Sequence, residues 1–515
     1  MPPPQDRRAP RRAPRRAARR ASLLAPLLLT LTACQEPTPP PEEPAPPRTP
    51  RPRPLYKNDP WIDRATVDEG GGGDGGGGRG VGLYAQLATA PGGRVGVAYW
   101  DTDGAEGAPC DGIEVDDPPA EIRWGLSFAE WRDGEGWTPE RVSDPLLLGP
   151  PPGLHLGYSP SGTPQILALS GDPVPEIRYC GGSDLGLFTP SGGVGEPWGA
   201  EWVVTDSDQA SSGEAASDYG YVVGYWPSHA RRPDGAELVV YQDVHGGSLQ
   251  RDDLARADLE VALRDTPTGA WRHEPVDVGE GAGTHTQALF GPQGEPMALY
   301  YIPIEASQEE RVRQGVWLAR KIDGEWRTHL VAAGPVEGGA KAVVIGEGLA
   351  VLYFDPQARQ PVLATLSDLK TLDAPLDPTA PTPDPWRRAR LGDPRYHEGR
   401  TPRLARAPDG RLAALWYRCA PAELAACRPA DDGVIFALSP APAEGASPND
   451  PASYLGEWTR EIVESGEEGV CGIDPTLTFD TQGRAWAAWR CSRRAEGGVF
   501  QYRLEAARRE MIEVR

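Results

Sequence analysis

One phrase recurs through most of the chain: a turn that ends in glycine, then an apolar strand with an aromatic residue at its far end. It is plainest in Ala407-Pro408-Asp409-Gly410-Arg411-Leu412-Ala413-Ala414-Leu415-Trp416-Tyr417 and in Ala90-Pro91-Gly92-Gly93-Arg94-Val95-Gly96-Val97-Ala98-Tyr99-Trp100. With the turn glycine as anchor, copies fall at Gly93, Gly162, Gly235, Gly294, Gly348, Gly410 and Gly483, six steps that average 65 residues. Six positions after the anchor stand Tyr99, Tyr241, Tyr300, Phe354, Trp416 and Trp489, with Ala168 as the exception. Eleven positions before it stand Gly82, Gly224, Gly283, Gly399 and Gly472. Self-similarity at a fixed spacing is the signature of a repeat architecture, and it limits the fold more than any compositional property does.

Each copy continues into a second hairpin built around a tryptophan, as in Gly315-Val316-Trp317 through Asp323-Gly324-Glu325-Trp326. An Asp-Gly turn between alternating strands is a hairpin signal. Equivalent tryptophans are Trp137, Trp198 or Trp202, Trp271, Trp386 and Trp458. Each repeat therefore reads as a four-stranded antiparallel meander. Seven such sheets around an axis make an all-β, seven-bladed β-propeller, which protects its strand edges by radial repetition. Two sandwiches would also accommodate this much β-rich chain, but the even spacing gives no break between domains. Asp59–Val67 matches Glu457–Val463 and is a candidate outer strand for the last blade; Glu510–Arg515 competes for the same place.

The formal charge is −22, and removing the eight Arg and one Asp of the first 33 residues leaves −29, which repels polyanions and speaks against nucleic acid as a partner. No stretch reaches the ~18 continuous apolar residues that a transmembrane helix needs. The first 20 residues carry four Arg pairs, and the apolar run 21–33 follows. That order is an export signal. It ends in Leu31-Thr32-Ala33-Cys34, which resembles the lipobox of bacterial lipoproteins. The resemblance implies diacylglycerol on the Cys34 thiol, cleavage just before Cys34, acylation of the new N-terminus and attachment to a membrane by lipid alone. Residues 35–54 hold ten prolines. They form an extended tether of ~3.1 Å per residue. The expected organisation is signal peptide 1–33, lipidated Cys and tether 34–57, and propeller 58–515.

Six cysteines remain in an exported chain, which favours disulfides over metal. Cys471 lies twelve residues before its anchor and Cys491 eight after it, nearly opposite each other on two antiparallel strands, so they are paired. Cys110 and Cys180 occupy equivalent loops of neighbouring blades, and Cys419 and Cys427 lie in one loop; these are the other expected pairs.

Asp133-Gly134-Glu135-Gly136-Trp137 and Asp323-Gly324-Glu325-Trp326 resemble the Asp-box of sialidase-like propellers, without its leading Ser. In that family the box is a structural turn, so the resemblance implies fold and not activity. The lipobox, tether and Arg-rich, Lys-poor propeller together resemble surface lipoproteins of high-GC bacteria of the myxobacterial type.

In a propeller the first strand of each blade lines the central channel, so the residues just after the minus-eleven glycine are expected at its mouth. They are Leu83 and Tyr84, Tyr225 and Trp226, Thr284 and His285, Arg400 and Thr401, and Ile473 and Asp474, with His155 and Lys341 in the irregular copies. From these, Tyr84, Tyr225, Trp226, His285, Lys341, Arg400 and Asp474 are the expected ligand-binding set. Aromatic faces among a few charged groups suit a sugar or a peptide segment. An acidic loop that includes Asp101 and Asp103 is a weaker candidate for Ca²⁺; no other cofactor or metal is expected. The expected protein is a monomeric, lipid-anchored propeller of the cell envelope, on the outer membrane or cell surface, that binds a glycan or an envelope protein. The alternatives are a sialidase-like glycoside hydrolase and a scaffold subunit of an envelope complex.

Overall fold

The computed structural model describes residues 60–70, 80–102, 123–143, 146–147, 153–170, 184–192, 195–205, 222–244, 257–278, 281–303, 313–373, 384–421, 432–441, 447, 449–465, 469–494 and 500–510. The expected lipidation site Cys34, the tether, Cys110, Cys180, Cys427 and Asp103 lie outside them. The compact unit that carries the strands is Asn58–Arg515.

It is a seven-bladed β-propeller of four-stranded antiparallel blades. The first blade runs Val81–Thr89, Val95–Thr102, Arg123–Arg132 and Gly136–Arg141 from the axis outward, with Leu146–Leu147 added beside the third strand. The next five blades repeat this order, with inner strands His155–Tyr158, Val222–Arg231, Thr284–Phe290, Ala340–Ile345 and Tyr396–Arg406. The last consists of Val470–Phe479, Ala485–Arg494, Phe500–Arg509 and, as its outer strand, Trp61–Asp68 from the other end of the chain. The N-terminal strand therefore closes the ring. Among the described residues there is no α-helix, only the 3₁₀ turns Leu369–Leu372 and Pro451–Tyr454.

Burial explains the sequence pattern strand by strand. Second and third strands are covered on both faces by neighbouring blades: Glu237–Val244, Gln360–Leu366 and Gly433–Leu438 are buried at every position. Hence they read as apolar runs rather than as alternation. Outer strands such as Arg387–Arg390 face water and are polar. The aromatics six positions after the anchors are all buried, and the hydroxyls of Tyr99 and Tyr241 donate to Asp68 (2.7 Å) and Glu260 (2.9 Å). Burying a Tyr is tolerated when its O–H finds a partner.

The turn phrase forms the hairpin between the first two strands. In the first copy Gly93 N–H donates to Ala90 O (2.8 Å) and Ala90 N–H to Arg94 O (2.8 Å), with Gly93 at φ 85°. The fifth copy departs: Gly346 and Glu347 make a two-residue turn, Ile345 pairs with Gly348, and the positive φ falls on Gly346. Asp323-Gly324 is the expected tight hairpin, with both residues left-handed and Ile322 paired with Glu325. The minus-eleven glycines have a packing reason as well. At Gly399, φ is 113° and a Cβ would lie 2.5 Å from the backbone N of Pro361 in the preceding blade.

Cys471 and Cys491 face each other in register and form a disulfide. Cys419 is disulfide-bonded as well. Asp101, the weaker candidate for Ca²⁺, is placed in a strand and not in a loop. It is buried in the second strand of the first blade, accepting from Ser127 Oγ (2.6 Å) and Arg141 Nη1 (2.6 Å), so a cation already holds its carboxylate.

Candidate functional site

Each blade carries a left-handed residue within its inner strand or just before it. Nine residues before each anchor stand Tyr84, Gly153, Trp226, His285, Gly339, Thr401 and Asp474, and every one has a left-handed backbone, with φ between 46° and 75°. Five of them carry side chains, for which this conformation costs ~1–2 kcal/mol each. In those five blades the strand register shifts there: Leu83 pairs with Trp100 and the next paired residue is Gln86; Arg400 pairs with Tyr417 and the next is Arg403. Strain repeated in five blades at the mouth of the channel, with glycine at the same position in the other two, is a property of the site and not of one turn.

Polar residues stand two positions further on in all seven copies: Gln86, His155, Ser228, Gln287, Lys341, Arg403 and Thr476. Three of them tie one blade to the next. Ser228 Oγ accepts from the N–H of Ala288 (2.9 Å), Gln287 Oε1 from the N–H of Ala342 (2.7 Å), and Thr476 Oγ1 from the N–H of Leu87 (2.9 Å). Lys341 and Arg403 instead line the central cavity.

That cavity encloses about 40 Å³. A single water needs ~10–15 Å³, so the cavity has room for the end of a molecule and not for a whole sugar ring. Every blade contributes to its wall, and the wall has two halves. Blades one to four give Tyr84, Gly153, Trp226 and His285; blades five to seven give Lys341, Arg403 and Asp474. On the aromatic half, the Trp226 ring lies 3.8 Å from that of His285 and 5.2 Å, edge-on, from that of Tyr84. Gly153 makes room for this cluster, because a Cβ there would come 3.2 Å from Trp226 Cα. Gly339 does the same for His285, at 2.4 Å from its Cβ.

The side chains border a narrow space inside the protein, so desolvation dominates their titration. Burial, with the charges of Lys341 and Arg403, pushes the His285 imidazole down to about 3. Burial, with His229 and Lys341, does the same to His155. Burial and Arg403 bring the Lys341 ammonium down to about 7. Burial pushes Asp474 upward, against the opposing pull of Arg403, Arg490 and the N–H of Tyr84. Burial and the Asp474 charge push the Tyr84 phenol up to about 12, so it is a donor at neutral pH.

Of the expected ligand-binding residues, the structure brings Tyr84, Trp226, His285, Lys341 and Asp474 to the cavity. Tyr225 and Arg400 are placed elsewhere. The left-handed residue after each reverses the alternation of the strand, so Tyr225 packs with Leu169, Val222 and Val244 between blades, and Arg400 pairs with Glu337 (3.2 Å). Arg403, Thr401 and Gln86 take part in the wall unexpectedly. Among the described residues no cluster of His, Cys, Asp or Glu is arranged for a metal, and no helix is long and apolar enough to cross a membrane.

Fold and site together define a seven-bladed propeller whose axial cavity is half aromatic and half charged. The chain is similar to a protein of unknown function from Dyadobacter fermentans, with 12% identity and a TM-score of 0.45 over 87% of this chain and 99% of that one. It is similar to the NanB sialidase from Streptococcus pneumoniae, with 9% identity and a TM-score of 0.41 over 87% of this chain and 70% of that one. It is also similar to the GH93 alpha-L-arabinofuranosidase of Fusarium graminearum, with 12% identity and a TM-score of 0.39 over 70% of this chain and 93% of that one. These likenesses concern the course of the chain and transfer no activity. No protein-family model and no curated protein matches the chain.

Proposed function

We propose that the channel mouth binds an acidic saccharide at the surface of a cell envelope. The observation that carries this is the division of the cavity wall into Tyr84, Trp226 and His285 on one side and Lys341, Arg403 and Asp474, two cationic side chains against one acid, on the other. A sugar presents apolar C–H faces that lie on aromatic rings, and a uronic or sialic acid adds a carboxylate that an Arg or Lys holds by a charge-assisted bond. With about 40 Å³ enclosed, the carboxylate end enters and the ring covers the mouth.

Binding accounts for this wall better than hydrolysis does. Glycoside hydrolysis by two carboxylates needs a second acid across the bond, and the described wall residues include one, Asp474. A tyrosine nucleophile would need a lowered pKa, whereas that of Tyr84 is raised.

Export and lipid anchoring at Cys34 belong to the same proposal, supported by the Leu31–Cys34 motif and by the Cys471–Cys491 disulfide, which suits an oxidising compartment. Replacing Cys34 by Ala releases the chain from membranes on this reading, and an unchanged membrane fraction contradicts the anchor. For the ligand, a thermal-shift screen of the full chain compares sialylated, uronate-bearing and neutral saccharides, with and without Ca²⁺. A ligand at a hundred times its Kd adds ~2.7 kcal/mol of stability. Acidic saccharides should raise the melting temperature and neutral ones should not; equal shifts or none would refute the reading.

A further inference from the structure

The chain holds four Lys and 48 Arg, and one of those lysines, Lys341, stands in the axial cavity. Its counterparts in neighbouring blades are Gln287 and Arg403, either of which would fill the position with a group that cannot act as a nucleophile. The other described lysines are used conventionally: Lys321 pairs with Glu274 (2.6 Å), and Lys370 lies exposed on a 3₁₀ turn. Lys341 makes no ion pair among the described residues; its Nζ has the carbonyl of Thr286 at 3.5 Å.

We propose that Lys341 is a nucleophilic amine that captures a small α-oxo acid as an imine inside the axial cavity. The inference rests on the reading of that cavity as a site for acidic ligands. Two observations select the chemistry. The enclosed space of about 40 Å³ fits a two- or three-carbon end group. Arg403, in the same wall, offers the guanidinium that a carboxylate next to the carbonyl requires. The nitrogen lone pair forms the C–N bond while the carbonyl π pair moves to oxygen. The two amine protons then leave with that oxygen as water, and the imine double bond forms; no oxidant or reductant is consumed.

The surroundings support the neutral amine that this step needs. The groups around Lys341 are His285, Arg403, Asp474 and Tyr84 in the cavity wall and His155 within electrostatic reach; burial keeps both histidines uncharged. Burial and Arg403 bring the ammonium of Lys341 down to about 7. A desolvated lysine beside another cation is a recognised way to activate an amine.

The test treats the full chain at pH 7 with glyoxylate and sodium cyanoborohydride, which reduces any imine to carboxymethyl-lysine, and locates the product by peptide mass mapping. An ordinary Lys is almost wholly protonated at that pH, so Lys341 should be labelled more than about tenfold over Lys57, Lys321 and Lys370. Even labelling of all four, or no adduct at Lys341, would overturn the inference. Lys341→Arg should lose the adduct; if that variant does not fold, the map of the unaltered chain decides alone. Absence of the adduct with the saccharide shift intact removes only the imine. Absence of the shift removes the binding reading beneath it.

Discussion

Thr476, in the last blade, accepts a hydrogen bond on its side-chain oxygen from the backbone N–H of Leu87, in the first, at 2.9 Å. The two residues are 389 apart in sequence, and the bond stands where the ring of blades closes. The same side-chain-to-backbone link joins blade three to four through Ser228 and blade four to five through Gln287. Thr476→Val keeps the shape but leaves the buried N–H of Leu87 without a partner, which costs about 1–3 kcal/mol. Urea denaturation measures it; Thr476→Ser should recover most of the loss.

The Cys471–Cys491 disulfide ties the first two strands of that last blade across 20 residues of chain. Replacing both cysteines by Ala should lower stability by about 2–4 kcal/mol. An equal denaturation midpoint for the double variant would mean that the hairpin does not need its cross-link.

The pH dependence follows from the cavity. His155 and His285 have folded-state pKa values of about 3, below their ordinary 6.5, so between these limits the unfolded chain binds more protons than the folded one. Stability therefore falls as pH drops through that window. Lys341, brought from 10.5 to about 7, has the same sign in another window: stability rises with pH from about 7 to 10.5. Denaturation midpoints across pH should show both slopes. His155→Gln with His285→Gln should flatten the acid one and Lys341→Met the alkaline one.

Thr401 holds a left-handed backbone at φ 46°, which is costly for a β-branched residue. Thr401→Gly removes a strain of ~1–2 kcal/mol and adds ~0.5–1 kcal/mol of backbone entropy to the unfolded chain. The variant should be more stable by about 0.5–1 kcal/mol, the difference of those two effects. A loss of stability would show that the threonine side chain contributes more by packing than its backbone costs.

The architecture was legible because a blade repeats its constraints. Six of the seven anchor glycines supply left-handed turns, and a side chain at a position such as Gly399 would strike the preceding blade. The aromatics six positions on fill the space between blades. Ring closure by Trp61–Asp68 was legible in its likeness to other outer strands, but the competing C-terminal segment was equally plausible by pattern. The site was half legible. Tyr225 and Arg400 were expected at the mouth because they directly follow the minus-eleven glycine; it is the left-handed residue after each, Trp226 and Thr401, that lines the cavity. A signal of part of the true wall was present: the position seven before the anchor is polar in all seven copies, and three of these residues, Gln86, Lys341 and Arg403, line the cavity. The fifth copy hid its turn because Gly348, which keeps the spacing, begins a strand, and Gly346 makes the turn.

The most direct test of the account is calorimetric titration of an acidic oligosaccharide, 3′-sialyllactose and oligogalacturonate in turn, into the full chain, Trp226→Ala and Arg403→Gln. Removing a charge-assisted bond of ~1.5–3 kcal/mol should weaken binding at least about tenfold in Arg403→Gln, while both variants still melt cooperatively. Loss of the Trp226 ring should weaken binding as well. Unchanged affinity in both variants, or no binding of either saccharide to the unaltered chain, would contradict the assignment of the axial cavity as the binding site.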